Sequence, residues 1–134
     1  MVVVDASAVA LLFVDPDDDP RVEQARRLLR ADEHWLVPEH WPVEVFSVIR
    51  GLNRGHQLTD ARAEAAIGML EKFSVKIVPT LPLLPRMWEL RHALTGYDAA
   101  YVAVAEANDC DLITADSRMA RAGAVRCGVQ VIAE

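Results

Sequence analysis

The chain has 134 residues, of which 52% are hydrophobic, which is enough for one domain with a sizeable core. Its formal net charge of −6 excludes a protein that is drawn to polyanions by its overall field. The chain has no apolar run of about 18 residues, the length of a membrane span. The N-terminus has no basic stretch and carries an acid at Asp5, which argues against a signal peptide. Two cysteines are too few for a disulfide framework, so we expect a single domain over residues 1–134 in the reducing cytoplasm.

Short apolar strands alternate with helices along the chain. The predicted elements in chain order are a strand at 2–4, helices at 7–14 and 21–31, a strand at 35–37, helices at 39–54 and 60–73, a strand at 75–78, helices at 83–94 and 97–108, a strand at 112–114, a helix at 117–122 and a strand at 129–132. Because the strands are apolar without alternation, both faces of their sheet are expected to be covered. The sequence therefore predicts an α/β three-layer sandwich with a mainly parallel central sheet.

Three aspartates follow strands or begin a helix, positions near the edge at which parallel sheets bind ligands. Asp5 ends the first strand, and Asp98 opens a nearly apolar helix. Asp116 lies two residues after Thr114, just past the fourth strand. Each also has a structural explanation, because Asp is a favoured helix N-cap and helix N-termini stabilise negative charge.

Glu44 lies on the flank of an apolar helical stripe. At about 100° per residue, that stripe is formed by Trp41, Val45, Val48 and Leu52. A carboxylate turned towards a core is costly unless it is paired or bound to a metal. Arg50 falls on the opposite side of the helix, and the pattern offers Glu44 no obvious cationic partner on its own face. This favours a functional role for Glu44.

The four acids together predict a divalent cation site. If they converge, their like charges cannot all be ionised without a counterion. Hard oxygen ligands without nearby Cys or His favour Mg²⁺, or alternatively Mn²⁺, over Zn²⁺. Sites of this kind hydrolyse phosphate esters, because the ion lowers the pKa of a bound water and offsets the charge of the phosphate.

Four segments resemble the signature segments of PIN domains, and the resemblance covers essentially the whole chain. They are Val2-Val3-Val4-Asp5-Ala6-Ser7-Ala8, Pro42-Val43-Glu44-Val45, Tyr97-Asp98-Ala99-Ala100-Tyr101-Val102-Ala103 and Leu112-Ile113-Thr114-Ala115-Asp116. Their order, spacing and total length are most similar to the VapC toxin branch of bacterial type II toxin–antitoxin systems. The Tyr-Asp-Ala-Ala-Tyr segment followed by Thr-x-Asp is quite specific to this family.

The resemblance implies a metal-dependent endoribonuclease that cleaves a phosphodiester with a metal-activated water and leaves a 5′-phosphate and a 3′-hydroxyl. It implies Ser7 and Thr114 as hydroxyls that hydrogen-bond a carboxylate or a metal-bound water. It also implies a homodimer, a VapB-type antitoxin whose C-terminal segment blocks the active-site groove, and tRNA or ribosomal RNA loops as substrates. The metal-binding, catalytic acids that it assigns are Asp5, Glu44, Asp98 and Asp116.

One departure from the wider fold concerns the number of metal ions. Several nuclease branches carry a further acid shortly after the last Asp, whereas Ser117-Arg118-Met119 supplies none. The sequence therefore leaves one-metal and two-metal chemistry open. Arg118 and Arg121, which follow Asp116 directly, are the candidates for contact with the RNA backbone.

Other functions are less consistent with the sequence. A phosphoacceptor receiver domain needs paired acids after the first strand and a Lys at a strand end. A haloacid-dehalogenase-like phosphatase needs Asp-x-Asp after the first strand. The chain has Asp5-Ala6-Ser7 at this position, which fits neither class. Two alternatives that keep the PIN fold are an RNA-processing nuclease outside a toxin–antitoxin pair and a binding module without catalysis. The four histidines share no metal-ligand spacing and are predicted to be surface or supporting residues.

Overall fold

Five parallel strands form one sheet in the computed structural model of the protein, which describes residues 1–133. The sheet order is β3-β2-β1-β4-β5, and all four neighbouring pairs run parallel. The strands are β1 (Val2–Val4), β2 (Trp35–Pro38), β3 (Val75–Val78), β4 (Leu112–Thr114) and β5 (Val129–Val131). Every residue of β1, β2 and β4 is buried, and successive strand residues point to opposite faces. Both faces of the sheet are therefore covered over its three central strands, and the predicted α/β sandwich is confirmed.

Seven helices connect the strands. They are α1 (Ala6–Ala10), α2 (Val22–Arg30), α3 (Trp41–Arg54), α4 (Asp60–Leu70), α5 (Leu84–Glu89), α6 (Gly96–Ala107) and α7 (Ser117–Arg121), within the described residues 1–133. The long α6 is buried over most of its length and packs across β2, β1 and β4. None of the helices in this part of the chain is long and apolar enough to cross a membrane.

The region before α6 differs from the predicted helix at 83–94. Helix α5 ends at Glu89, although Leu90 and Leu94 have the spacing of a helical face and are both buried. These leucines belong to the core through the turn that follows α5. Gly96, predicted to break a helix, is instead the first residue of α6, because Thr95 caps that helix with its hydroxyl on the backbone N–H of Asp98.

A backbone hydrogen bond to the neighbouring strand β4 fixes the position of the residue that follows β1. The backbone N–H of Asp5 donates to the carbonyl of Ile113 in β4 at 2.9 Å, so the first residue after β1 is tied to the neighbouring strand. Helix α1 begins immediately afterwards at Ala6 and packs against α3. The predicted helix at 7–14 is α-helical only to Ala10 and continues as a 3₁₀ turn over Leu11–Phe13. The carboxyl edge of the sheet is thus brought next to α3 and α6.

Candidate active site

Asp5 is a buried carboxylate at the centre of this edge. It is 3% exposed, and its side chain caps α1 by accepting a hydrogen bond from the backbone N–H of Ser7 at 3.2 Å. The Thr114 hydroxyl donates to Asp5 Oδ2 at 2.7 Å. Burial raises the pKa of the Asp5 carboxyl above its ordinary value, against the effect of these hydrogen bonds. The nearby charge of Glu44 raises the Asp5 pKa further.

Two hydroxyl groups connect the ends of β1 and β4. Thr114 Oγ1 accepts from the backbone N–H of Asp116 at 3.0 Å, in addition to its bond to Asp5. Ser7 Oγ accepts from the backbone N–H of Ala115 at 3.0 Å and lies 3.4 Å from Thr114 Oγ1. The sequence singled out both hydroxyls. The Thr114 hydroxyl holds the Asp5 carboxylate directly, whereas the Ser7 hydroxyl binds the backbone after β4.

Asp116 caps α7 and is already paired with an arginine. Its Oδ1 accepts from the backbone N–H of Arg118 at 3.0 Å, and the Arg118 guanidinium binds both oxygens, with Nη2 2.6 Å from Oδ2 and Nε 3.0 Å from Oδ1. This contact, with a weaker attraction from Arg121, lowers the pKa of Asp116. The side chain of Arg118, expected to point towards RNA phosphate, is 75% exposed but folds back onto Asp116.

Asp98 lies in the first turn of α6, where its backbone N–H donates to Thr95 Oγ1 at 3.2 Å. Its carboxyl is half-buried. Partial burial raises the pKa of Asp98, and the charges of Asp116 and then Glu44 raise it further. Asp98 is therefore electrostatically coupled to acids on two other elements, even though the helix dipole favours its charge.

Glu44 has two partners that the sequence interpretation missed. His40, one turn earlier, places Nε2 3.3 Å from Glu44 Oε2, close enough for an ion pair when the imidazole is protonated but without hydrogen-bond geometry. The fully buried Tyr101 donates a long hydrogen bond of 3.4 Å from its hydroxyl to Glu44 Oε1. The expectation that Glu44 has no cationic partner on its own face was therefore wrong. The i, i+4 spacing of His40 and Glu44 was a signal that could have found this pair.

The four acids form a chain of coupled neighbours. Asp5 is coupled to Glu44, Glu44 to Asp98, and Asp98 to Asp116. Among residues 1–133, no three Asp, Glu, His or Cys side chains stand close enough together to hold an ion in this arrangement. The donor set is nonetheless suited to a hard divalent cation, because it consists of carboxylate oxygens and two of its members have raised pKa values. In this structure Arg118 supplies the positive charge at Asp116.

A groove of about 990 Å³ opens beside Asp116, the one of the four acids that lines it. It is lined on the acid side by Ser7, Asp116 and Arg118 and extends along α1 and α3 to His56 and Gln57. An extended substrate lying in this groove would pass the carboxyl edge of the sheet.

Comparison with known proteins agrees with the fold. The PIN domain family model matches residues 2–125. Ribonuclease VapC9 of Mycobacterium tuberculosis is 36% identical over 132 residues, which cover 98% of either chain. Ribonuclease VapC3 of the same organism is 37% identical over 121 residues, covering 90% of this chain and 86% of the relative. The crystal structure of Mycobacterium tuberculosis VapC20, a sarcin–ricin loop cleaving toxin, has a TM-score of 0.68 at 24% identity and covers 92% of this chain and 95% of that chain.

The five-stranded parallel sheet, together with the family match, defines the class. The chain belongs to the PIN domain family. Its similarity to VapC ribonucleases extends over nearly its entire length, and within the family it is of the VapC type.

Proposed function

We propose that the protein is a metal-dependent endoribonuclease whose site is built from Asp5, Glu44, Asp98 and Asp116. The observation that carries this proposal is the hydrogen-bonded connection of three of the acids. Thr114 joins the buried Asp5 to the backbone of Asp116, and the Tyr101 hydroxyl joins the residue after Asp5 to Glu44. The raised pKa values of Asp5 and Asp98 support it. Acids that raise the pKa values of their neighbours are costly to maintain and are typical of functional sites. A divalent cation relieves this cost, and Mg²⁺, or alternatively Mn²⁺, suits the oxygen donors.

The residues have distinct roles in the proposed reaction. Asp5, Asp98 and Asp116 would hold the ion together with Glu44, while Ser7 and Thr114 keep the buried Asp5 carboxylate in one orientation. When bound, the ion supplies positive charge that offsets the phosphate and lowers the pKa of the attacking water. Hydrolysis by a water that attacks phosphorus would break the bond to the 3′-oxygen and would leave a 5′-phosphate and a 3′-hydroxyl.

Arg118 and Arg121 are the proposed contacts to the RNA backbone. For Arg118 this role requires release from Asp116, and a cation bound by Asp116 would favour that release because it replaces the guanidinium charge. Arg121 lies one turn of helix from Ser117 and contributes attraction at the same edge. Both arginines offset an otherwise acidic surface locally, which an RNA-cleaving protein of net charge −6 requires.

The substrate and partners follow from the relatives. VapC20, which shares this fold, cleaves the sarcin–ricin loop, and we propose that this chain likewise attacks a loop of ribosomal RNA or tRNA in the cytoplasm. Membership of the VapC branch supports a VapB-type antitoxin whose C-terminal segment closes the groove, and a homodimer as the assembled form. Co-purification with the neighbouring gene product and light scattering test these two points.

The central experiment measures RNA cleavage by the purified protein with Mg²⁺, with Mn²⁺ and with a chelator. Asp98→Asn and Glu44→Gln should each lower cleavage by more than about 100-fold, since even groups that only support metal ligands contribute 10–100-fold. Glu64→Gln, on the exposed side of α4, is the matched control and should cleave normally. Cleavage that persists in chelator, or in Asp98→Asn, would contradict the metal site. RNA binding without cleavage under every metal condition would instead identify a non-catalytic binding module.

A further inference from the structure

A small recess lies directly beside the acids and is separate from the groove described above. Its volume is about 270 Å³, and its lining residues are His40, Val43, Glu44, Ser47 and Tyr97. The first four of these follow the i, i+3, i+4, i+7 pattern and therefore share one face at the start of α3. Tyr97 comes from the first turn of α6, immediately before Asp98. The recess is thus lined by one proposed metal-binding acid, Glu44, and by the residue that precedes another, Asp98.

The recess exposes apolar surface, and part of this surface packs on aromatic rings that are anchored to the core. Tyr97 is 67% exposed and Val43 is 69% exposed. The His40 ring lies edge-on to Tyr97, with ring centroids 5.3 Å apart, and edge-on to the fully buried Tyr101 at 5.0 Å. Tyr101 is anchored in turn, because its hydroxyl accepts from the backbone N–H of Ala6 at 3.3 Å. The exposed Tyr97 ring is therefore packed on a layer that is fixed to the core.

We propose that this recess binds a nucleobase of the RNA substrate, next to the phosphate that is cleaved, by stacking on Tyr97. This proposal rests on the ribonuclease function proposed above. The group that enters should carry no negative charge, because the Glu44 carboxylate forms part of the wall and would repel a phosphate. It must also have an apolar face, because Tyr97 and Val43 present the largest exposed surfaces of the recess.

A nucleobase meets both requirements and also has a polar edge. Ser47 is exposed on the recess wall, so its hydroxyl is free to donate to or accept from that edge. Because a base can stack on a protein ring only when it is unpaired, the recess favours single-stranded or looped RNA over a duplex. A tyrosine accepts any base by stacking, so base preference would come from the edge facing Ser47.

The test uses a short single-stranded RNA that contains 2-aminopurine, titrated with protein in chelator so that no cleavage occurs. Stacking of 2-aminopurine on Tyr97 should quench its fluorescence. Tyr97→Leu keeps an apolar side chain but removes the ring, and it should weaken binding at least about fivefold, the lower limit for one base–aromatic stack. Tyr97→Phe keeps the ring and should bind within about twofold of the unmodified protein.

Trp88→Leu is the matched control. Trp88 is 68% exposed on α5, outside the recess, where Arg91 packs over its ring at 4.4 Å. Its replacement should leave 2-aminopurine quenching unchanged. Circular dichroism confirms that each variant is folded, as expected for substitutions at exposed positions.

Three outcomes would overturn the proposal. The first is absence of quenching by the unmodified protein, and the second is normal RNA binding by Tyr97→Leu. The third is a change of oligomeric state in Tyr97→Leu, measured by light scattering. That change would assign the recess to a second copy of the chain. Cleavage of RNA with added Mg²⁺ is measured in parallel. If the unmodified protein cleaves RNA while Tyr97→Leu binds normally, only the base subsite is refuted. If the unmodified protein cleaves no RNA with any ion, the proposed function itself fails.

Discussion

Replacement of Thr114 by valine tests how the buried carboxylate is held. Thr114 is fully buried, and its hydroxyl donates to Asp5 Oδ2 at 2.7 Å while accepting from the backbone N–H of Asp116 at 3.0 Å. Thr114→Val preserves the shape of the side chain but removes both hydrogen bonds. A buried carboxylate and a partly buried N–H group then lose a partner at the same time.

The cost can be worked out from these two contacts. A hydrogen bond to a charged group contributes about 1.5–3 kcal/mol to stability and a neutral one about 1 kcal/mol. We therefore expect Thr114→Val to lower the free energy of unfolding by about 3 kcal/mol at neutral pH without metal. For a chain of 134 residues this corresponds to a fall in melting temperature of roughly 10 °C.

The penalty should also depend on pH. Burial raises the pKa of Asp5, and the Thr114 hydrogen bond opposes that rise, so the valine variant should have a still higher Asp5 pKa. An acid whose pKa is higher in the folded than in the unfolded state contributes stability below its unfolded pKa, and this contribution is lost as pH rises through the folded pKa. The destabilisation by Thr114→Val should therefore be largest at neutral pH and shrink in acid.

The assay is urea unfolding in chelator at about pH 7 and about pH 5, two conditions chosen because protonation of Asp5 increases between them. Thr114→Ser is the control, since it keeps the hydroxyl and loses only one buried methyl group, at a cost of about 1 kcal/mol. Equal destabilisation by valine and serine, or a valine penalty that grows as the pH falls, would refute the assigned role of the Thr114 hydroxyl.

Two further predictions concern the acids and their counterions. In chelator, Asp98→Asn should raise the melting temperature, because burial and the charge of Asp116 make ionised Asp98 unfavourable. With Mn²⁺, the variant should lose the stabilisation that the ion is expected to give the unmodified protein. An unchanged Mn²⁺ response measured by differential scanning fluorimetry would place the ion elsewhere. Arg118→Ala should tighten Mn²⁺ binding roughly two- to fivefold by calorimetry, since it removes a competing but exposed cation, whereas Arg121→Ala should have little effect. Weaker Mn²⁺ binding by Arg118→Ala would show that the guanidinium supports the site.

The sheet could be predicted because its strands are short apolar runs with abrupt ends. Val2–Val4 is followed by an acid, and Val75–Val78 is followed by Pro79, so both bounds agree with the structure. The helix expected at 83–94 shows the limit of such patterns. Leu90 and Leu94 have helical spacing and are buried, but a turn also brings residues of this spacing onto the core. Periodicity therefore identified the core residues there without identifying the local structure.

The acids were found from the topology, whereas their partners were not. A parallel sheet places the residues that follow its strands at one edge, which is how Asp5 and Asp116 were selected. The contact between Arg118 and Asp116 could not be anticipated. The Arg118 side chain folds back from the first turn of α7 onto Asp116, the residue that caps the helix. The two residues are i and i+2, a spacing at which side chains on a helix do not face each other. Tyr101 was missed because a tyrosine inside an apolar helix has the same pattern whether or not its hydroxyl has a partner.

The position of β1 determines which openings of the molecule would disturb the site. β1 lies between β2 and β4, and the backbone N–H of Asp5 donates to Ile113 in β4. Because edges open more readily than the centre of a sheet, we expect the amide protons of β1 to be among the slowest to exchange with solvent. Fraying of β3 or β5 would then leave Asp5 in place, and dismantling the site would require the centre of the sheet to open.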